Sequence, residues 1–513
     1  MSLDRARPSV SSRWRAVAVS AKITCPSHRI EAFRSGALEG SPSRIATVIT
    51  RLVGTAAGLF YRVDTHGPRL PAGPVLVAAN HPNSLLDPVL IMRCSDRYVR
   101  ALGRAPLFDQ PLLGPVLRSL GAIPVYRRQD DPEAMHLNEH MFRAAVEALQ
   151  EGGAIQIFPE GKSHSGAQIA ELRTGAARIA LQAEAAAGWG LGLSIVPVGI
   201  TYSRKERART PVTVRYGRAV GCADLAEAYR RDPVEAARIL TTRIEAGIRR
   251  QTLNFVHHGD RELVEVAEQL YVREYRWVPW RAREQLGVRF PRLQRFAAGL
   301  EWIRREAPEE HRALRRKVER YAALNERVGA GEGDVPPRFG LIPVARYIAV
   351  RGTLLLVGLP VAVAGAVMWA PVTWLPGLVL KRTRPDYEVT ATHKILALLG
   401  GVVVAWALWV TLAFFMGGIV WAVAVLAAAP FCGYLALQWV ELVREVREDA
   451  ALFLRLQGRP DVRERFARMR AELAAAFRRL EERWLNEELP PPPDADNVSA
   501  RGSVDTARVR PEE

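Results

Sequence analysis

The chain has 513 residues, too many for one ordinary hydrophobic core, so at least two structural units are expected. Its four cysteines, Cys25, Cys94, Cys222 and Cys432, stand singly with no CxxC pair, which argues against a disulfide framework or a zinc site and fits a reducing compartment. The net charge of +17, almost wholly arginine with only six lysines, suits a phosphate-bearing partner: nucleic acid, an anionic membrane surface or a phosphorylated metabolite. Codon bias in a GC-rich genome accounts for the arginine preference equally well.

In chain order, residues 1–43 read as a basic, disordered lead-in. They lack a sustained apolar stretch, so no secretory signal is expected. From Ile45 the apolar residues fall at Val48, Ile49, Leu52, Val53, Ala56, Leu59 and Phe60, a single helical stripe with Arg44, Arg51 and Arg62 nearby. Such a helix either lies on an anionic membrane or packs on the domain that follows. Residues 44–223 are expected to form an α/β domain. Candidate strands are VLVAA (75–79), AIPVY (122–126), AIQIFP (154–159), LSIVPVGI (193–200) and PVTVRYG (211–217), with helical stretches at 133–151 and 167–187. His136 and His140 in HLNEH stand four apart, but the glutamate is misplaced for a zinc-protease pattern, so no metal site is expected.

Residues 224–335 read as helical and highly charged, closing on a GAGEGD linker (329–334). A composition shift follows. Gly352–Leu380 carries no charge over 29 positions and Ile395–Val440 none over 46. A membrane span needs about 20 apolar residues. The second stretch therefore predicts two spans, 395–416 and 419–440, with the turn at Gly417-Gly418. The first, 352–380, is interrupted by Pro360, Pro371 and Pro376, and KRTR (381–384) follows it. The tendency of Lys and Arg to stay cytoplasmic favours a re-entrant or interfacial segment over a kinked span. Two charged helices are expected over 441–488 and a polar, disordered tail over 489–513.

The chemistry is concentrated at strand exits. NHPNSLLDP (80–88) follows VLVAA and holds His81, the side chain best suited to act as a general base near neutral pH. A base histidine needs an acceptor on its other ring nitrogen, usually a carboxylate. Asp87 lies six positions on, too far round for one helical face, so the two meet only if PNS turns the chain. Asp87 also reads as an N-cap before Pro88 at a helix start. Ser84 has no GxSxG elbow and makes a poor nucleophile. GAIPVYRR (121–128) ends a strand on Arg127 and Arg128, a fork suited to phosphate or a solvated basic end. FPEGKSHS (158–165) brings Glu160, Gly161, Lys162 and Ser163 to another strand exit, and IVPVGITY (195–202) brings Pro197. Open α/β sheets bind ligands at such carboxyl ends.

These four blocks, in this order over about residues 60–220, resemble the glycerolipid acyltransferases, the family typified by lysophosphatidate acyltransferase. HPNSLLDP, IPVYRRQD, FPEGKSH and VPVGITY look most like its fungal-type glycerol-3-phosphate/dihydroxyacetone-phosphate acyltransferase branch. Two departures stand out: the first block is His-x5-Asp rather than His-x4-Asp, and Ser163 occupies the place of a common arginine. The resemblance implies that His81 deprotonates an acceptor hydroxyl while Asp87 orients the ring. The hydroxyl then attacks the thioester of acyl-CoA or acyl carrier protein, a co-substrate, with no cofactor. It further implies that Arg127 binds phosphate with Arg128 as helper, that Glu160 and Gly161, with Lys162 and Ser163, shape the acceptor site, and that Pro197 closes the pocket wall. The expected enzyme is membrane-bound, with a cytoplasmic catalytic domain, and acylates glycerol 3-phosphate or dihydroxyacetone phosphate. Acylation of lysophosphatidate or another lysolipid is the alternative within the class, and a non-catalytic lipid-binding membrane scaffold the alternative outside it. Nucleic-acid binding lacks any recognised module.

Overall fold

The computed structural model describes residues 44–111, 113–127, 133–164, 166, 168–255, 259–275, 285–328, 341–383, 387–456 and 459–486. The expected lead-in, the GAGEGD linker, the tail from 489 and Arg128 lie outside the described residues. VLVAA proves to be the middle of a seven-stranded sheet. In chain order its strands are β1 (Arg62–His66), β2 (Val75–Ala79), β3 (Val99–Arg104), β4 (Ile123–Val125), β5 (Ala154–Ile157), β6 (Ser194–Tyr202) and β7 (Pro211–Tyr216), arranged β1-β7-β6-β2-β5-β3-β4. All neighbours are parallel except β6 and β7. β2 is buried at every position, as a strand covered on both faces must be.

Alternate side chains of β2 feed two cores. Leu76 and Ala78 join Ile155 and Ile195 beneath three helices: α3 (Asn138–Gln150), α4 (Gly175–Ala186) and α5 (Pro233–Gln251). Val75, Val77 and Ala79 face α1 (Arg44–Phe60) and α2 (Leu86–Cys94), with Ala57, Phe60, Leu90 and Ile91. Burying one Leu or Ile side chain contributes about 1.5–3 kcal/mol, so these layers hold the strand ends in register.

Several expectations need correction. Two strands, β1 and β3, escaped the sequence reading: β1 is a polar edge strand and β3, VRALGR, is broken by arginines and a glycine. The segment 133–137 is a 3-10 turn, and α4 starts only at Gly175. Residues 168–174 cannot begin it, because the Ala170 N–H is taken by Glu160 and the Arg173 N–H by the Pro159 carbonyl. The α/β unit extends past 223, since α5 covers the sheet through Leu240, Ile244 and Ile248. The α1 stripe does two things at once: Ala46, Gly54, Ala57 and Phe60 are buried, whereas Ile45, Val48 and Leu52 stay exposed.

A second unit consists of α6 (Asp260–Tyr275), α7 (Leu286–Glu306) and α8 (Pro308–Val328). Its core, Leu263, Val264, Leu293, Ile303 and Val318, is shared with Phe466, Leu473 and Phe477 of a C-terminal helix, Pro460–Asn486. The fully buried Glu268 is compensated by Arg289 and Arg292, each 2.8 Å away, as a desolvated carboxylate requires.

Among the described residues, two helices are long and apolar enough to cross a membrane: α9 (Leu341–Thr383) and α10 (Tyr387–Leu456). The prolines expected to interrupt the first stretch lie inside α9, and α10 breaks at Gly417 and Gly418, where the turn was expected. Lys394 donates to the Glu206 carbonyl and Glu441 pairs with Arg209 at 2.5 Å. The apolar stretch between them thus leaves and returns to one side of the α/β unit.

Candidate active site

Asn80 begins the site by prolonging the sheet. Its Nδ2 donates to the Ile200 carbonyl (3.0 Å) and its Oδ1 accepts the Ile200 N–H (2.7 Å), so a side chain continues the β2–β6 ladder one step beyond Ala79. The chain then reverses. Ser84 takes φ +43°, a left-handed turn conformation, and the N–H groups of Leu86 and Asp87 bond back to Asn83 and Ser84. This turn does what a six-residue spacing alone cannot. His81 Nδ1 lies 2.9 Å from Asp87 Oδ2.

Asp87 is fully buried and is not the cap of α2; it sits within the helix's first turn, where the helix dipole favours a carboxylate. Oδ2 also accepts the Asn83 N–H at 2.6 Å, and Oδ1 accepts the Tyr202 hydroxyl at 2.7 Å. Opposite an accepting carboxylate, Nδ1 of the ring carries the hydrogen and Nε2 is left as the proton acceptor. No described residue bonds Nε2. Phe158 stacks on the ring, with centroids 4.1 Å apart and planes at 20°, which fixes its remaining rotation.

The neighbouring block is bound to the first. Glu160, also buried, accepts the His81 N–H at 2.9 Å and the Ala170 N–H at 3.0 Å, and it bonds the His164 ring. The His164 N–H in turn donates to the His81 carbonyl (3.1 Å). The bond to Glu160 pushes the His164 imidazole above its ordinary value. Both Glu160 oxygens are therefore engaged with the protein. Gly161 adopts φ +72°, a left-handed conformation that side chains rarely tolerate, so the turn favours glycine there. Ser163 is half-buried and Lys162 exposed on the same loop.

Two expected site residues are not brought to the histidine. Arg127 is half-buried just past β4, at the sheet edge. β4 lies three strands from β2, about 14 Å by ordinary strand spacing. Pro197 faces the other side of the sheet, packed where a Cβ on Gly247 of α5 would stand 2.8 Å from its ring. It is wall for the α5 layer rather than for a pocket at His81. Sequence reading missed Phe158, Tyr202 and His164 as partners, although each lies inside a quoted block.

The structure thus places a hydrogen-bonded histidine–carboxylate pair just past the carboxyl end of β2. Residues 62–201 match the family model for acyltransferases. Over 135 residues the chain is 27% identical to glycerol-3-phosphate O-acyltransferase 2 of Saccharomyces cerevisiae; the alignment covers 26% of this chain and only 18% of the yeast protein. Among solved structures, the 1-acyl-sn-glycerophosphate (LPA) acyltransferase PlsC from Thermotoga maritima is similar at 19% identity, over 39% of this chain and 80% of that one, with a TM-score of 0.29.

Proposed function

We propose that the chain is a membrane-held O-acyltransferase moving a fatty acyl group from acyl-CoA or acyl carrier protein to a hydroxyl of glycerol 3-phosphate or dihydroxyacetone phosphate. The observation that carries the reading is the 2.9 Å bond from the His81 ring to a fully buried Asp87. Nε2 of His81 takes the proton of the acceptor hydroxyl as that oxygen attacks the thioester carbonyl. The carbon–sulfur bond then breaks, the imidazolium returns its proton to the leaving thiolate, and an ester and a free thiol result. Asp87 holds the ring's tautomer and offsets the imidazolium charge. Arg127 and Lys162 are the cations proposed to meet the acceptor phosphate, with Arg128 assisting. Glu160, Gly161 and Ser163 act by shaping the loop beside His81.

The apolar helices support this reading, because a fatty acyl thioester and an acylated product both partition into bilayers. The catalytic domain is proposed to face the cytoplasm. Membranes containing the purified chain, given one acyl-CoA with either glycerol 3-phosphate or lysophosphatidate, test it. Acylation of the first acceptor is expected, and acylation of lysophosphatidate alone overturns the substrate choice. His81→Ala is expected to lower turnover about 10²–10⁴-fold, the usual contribution of a positioned base, while the chain stays in the membrane fraction. An alanine variant with full turnover overturns the mechanism.

A further inference from the structure

Asp87 accepts three hydrogen bonds, and only one comes from the ring it serves. Oδ2 is shared by His81 Nδ1 and the Asn83 N–H, both local to the turn. Oδ1 is held by a single group from a distant part of the chain, the hydroxyl of Tyr202 at the end of β6. That phenol is itself fixed from several sides. Its ring packs edge-on against Tyr61, with centroids 5.3 Å apart, and Tyr61 accepts Asn83 Nδ2 at 3.0 Å. Tyr61 also donates to the Lys205 carbonyl, while the Lys205 ammonium holds the Pro82 carbonyl at 2.7 Å. Arg261 of α6 clamps the Tyr202 carbonyl at 2.7 Å. The turn bearing His81 and the exit of β6 are thus one hydrogen-bonded body with Asp87 at its centre.

We propose that Tyr202 is a positioning residue for the acyl-transfer reaction proposed above: its hydroxyl sets the Asp87 rotamer that meets His81 Nδ1 and draws off part of the carboxylate's charge. The inference rests on His81 acting as the base. A buried carboxylate oxygen without a donor pays its full desolvation penalty, so Asp87 needs this phenol to stay in place. Burial, and then the negative charge of Asp87, push the Tyr202 phenol well above its ordinary value, so it remains a donor throughout the working pH range. The titratable and charged groups around the pair are His81, Tyr61 and Lys205, with Glu160 and His164 beyond the imidazole and Arg261 behind the strand end.

The direction of the effect follows. Without the phenol, the Asp87 charge is less dispersed and holds a proton on the imidazole more strongly. A base works only when neutral. The acid limb of kcat/KM therefore moves to higher pH, and turnover falls over the range where His81 is now protonated or turned away.

Tyr202→Phe in the full chain, reconstituted in lipid vesicles, tests this. The expected result is a kcat lower by about 10–100-fold, the loss typical of a hydrogen bond to a charged group. KM for either substrate should stay nearly constant and the acid limb should move upward. Combined with His81→Ala, the phenylalanine should cause no further loss, because its effect passes through His81. Incorporation of 3,5-difluorotyrosine at position 202 keeps the shape and strengthens the donor, so the limb should move downward; this covers the case in which the phenylalanine variant fails to fold. An unmoved limb in both variants, or losses that multiply in the double variant, overturns the proposal. An inactive wild type overturns the proposed reaction instead, so the two failures are distinguishable.

Discussion

A histidine at a strand exit becomes a base only when its hydrogen is kept on one nitrogen and its ring in one plane. In the reaction proposed above, the Asp87 bond would do the first and the Phe158 stacking the second. The other polar residues of NHPNSLLDP have separate tasks: Asn80 extends the sheet, and Ser84 supplies the left-handed turn that carries Asp87 back to His81. Asp87→Asn keeps the side chain's size but presents one acceptor oxygen to three donors, so one donor is orphaned and the wrong imidazole tautomer is favoured. The expected outcome is a kcat lower by on the order of 10³-fold with unchanged vesicle association. An asparagine variant that retains wild-type kcat removes the carboxylate from the reaction.

At the scale of elements, the site exists because β2 lies between β5 and β6. Each of the four blocks was legible in the sequence as an apolar run ending on polar residues, a local pattern. Their mutual contacts were not. Glu160 reaches the His81 N–H across 79 residues and Tyr202 reaches Asp87 across 115, and only the strand order brings them together. The same order explains why Arg127, which follows the edge strand β4, stands apart from His81, and Pro197 points to the α5 face because side chains alternate along β6. The β1 and β3 strands were illegible for the opposite reason, since their pairing rather than their composition makes them strands. Packing of β6 against α5 is close enough to be tested at one atom. A Cβ on Gly199 would stand 1.9 Å from the Gln251 carbonyl oxygen, a backbone atom that no rotamer change can move. Gly199→Ala is expected to destabilise the chain by about 1–3 kcal/mol, as overpacking does, read as a lower unfolding temperature. Gly221→Ala, with nothing within 4 Å of its Cβ, serves as the unaffected control. Equal unfolding temperatures for the two variants refute the close approach.

For the whole molecule, the question is how the apolar helices rooted in the α/β unit would meet a bilayer in the membrane-held reading proposed above. The stretch from Ile395 to Met416 is about 33 Å long at 1.5 Å per residue, enough to cross a hydrocarbon core. It reverses at Gly417-Gly418, and its return ends at Glu441, beside Arg209. α9 runs antiparallel to this returning half: Trp439 donates to the Leu355 carbonyl and Trp369 to the Ala429 carbonyl. Continued straight, that register would carry Pro376 toward the Gly418 turn. Instead Thr373 and Pro376 line a cavity of about 1240 Å³ together with Leu398, Leu437, Glu441 and the β6–β7 connection. We propose that α9 bends back over its last third, with Pro371, which lacks an N–H, at the bend. Lys381 and Arg382 would then emerge on the side of Arg209 and Arg444, the re-entrant arrangement expected from the distribution of basic residues. In a chain whose four cysteines are replaced by serine, Arg382→Cys and Arg447→Cys are expected to react with a membrane-impermeant maleimide from the same side of sealed vesicles. Met416→Cys is expected to react only from the other. If Arg382→Cys is labelled together with Met416→Cys and apart from Arg447→Cys, then α9 crosses the bilayer once and the bend does not return it.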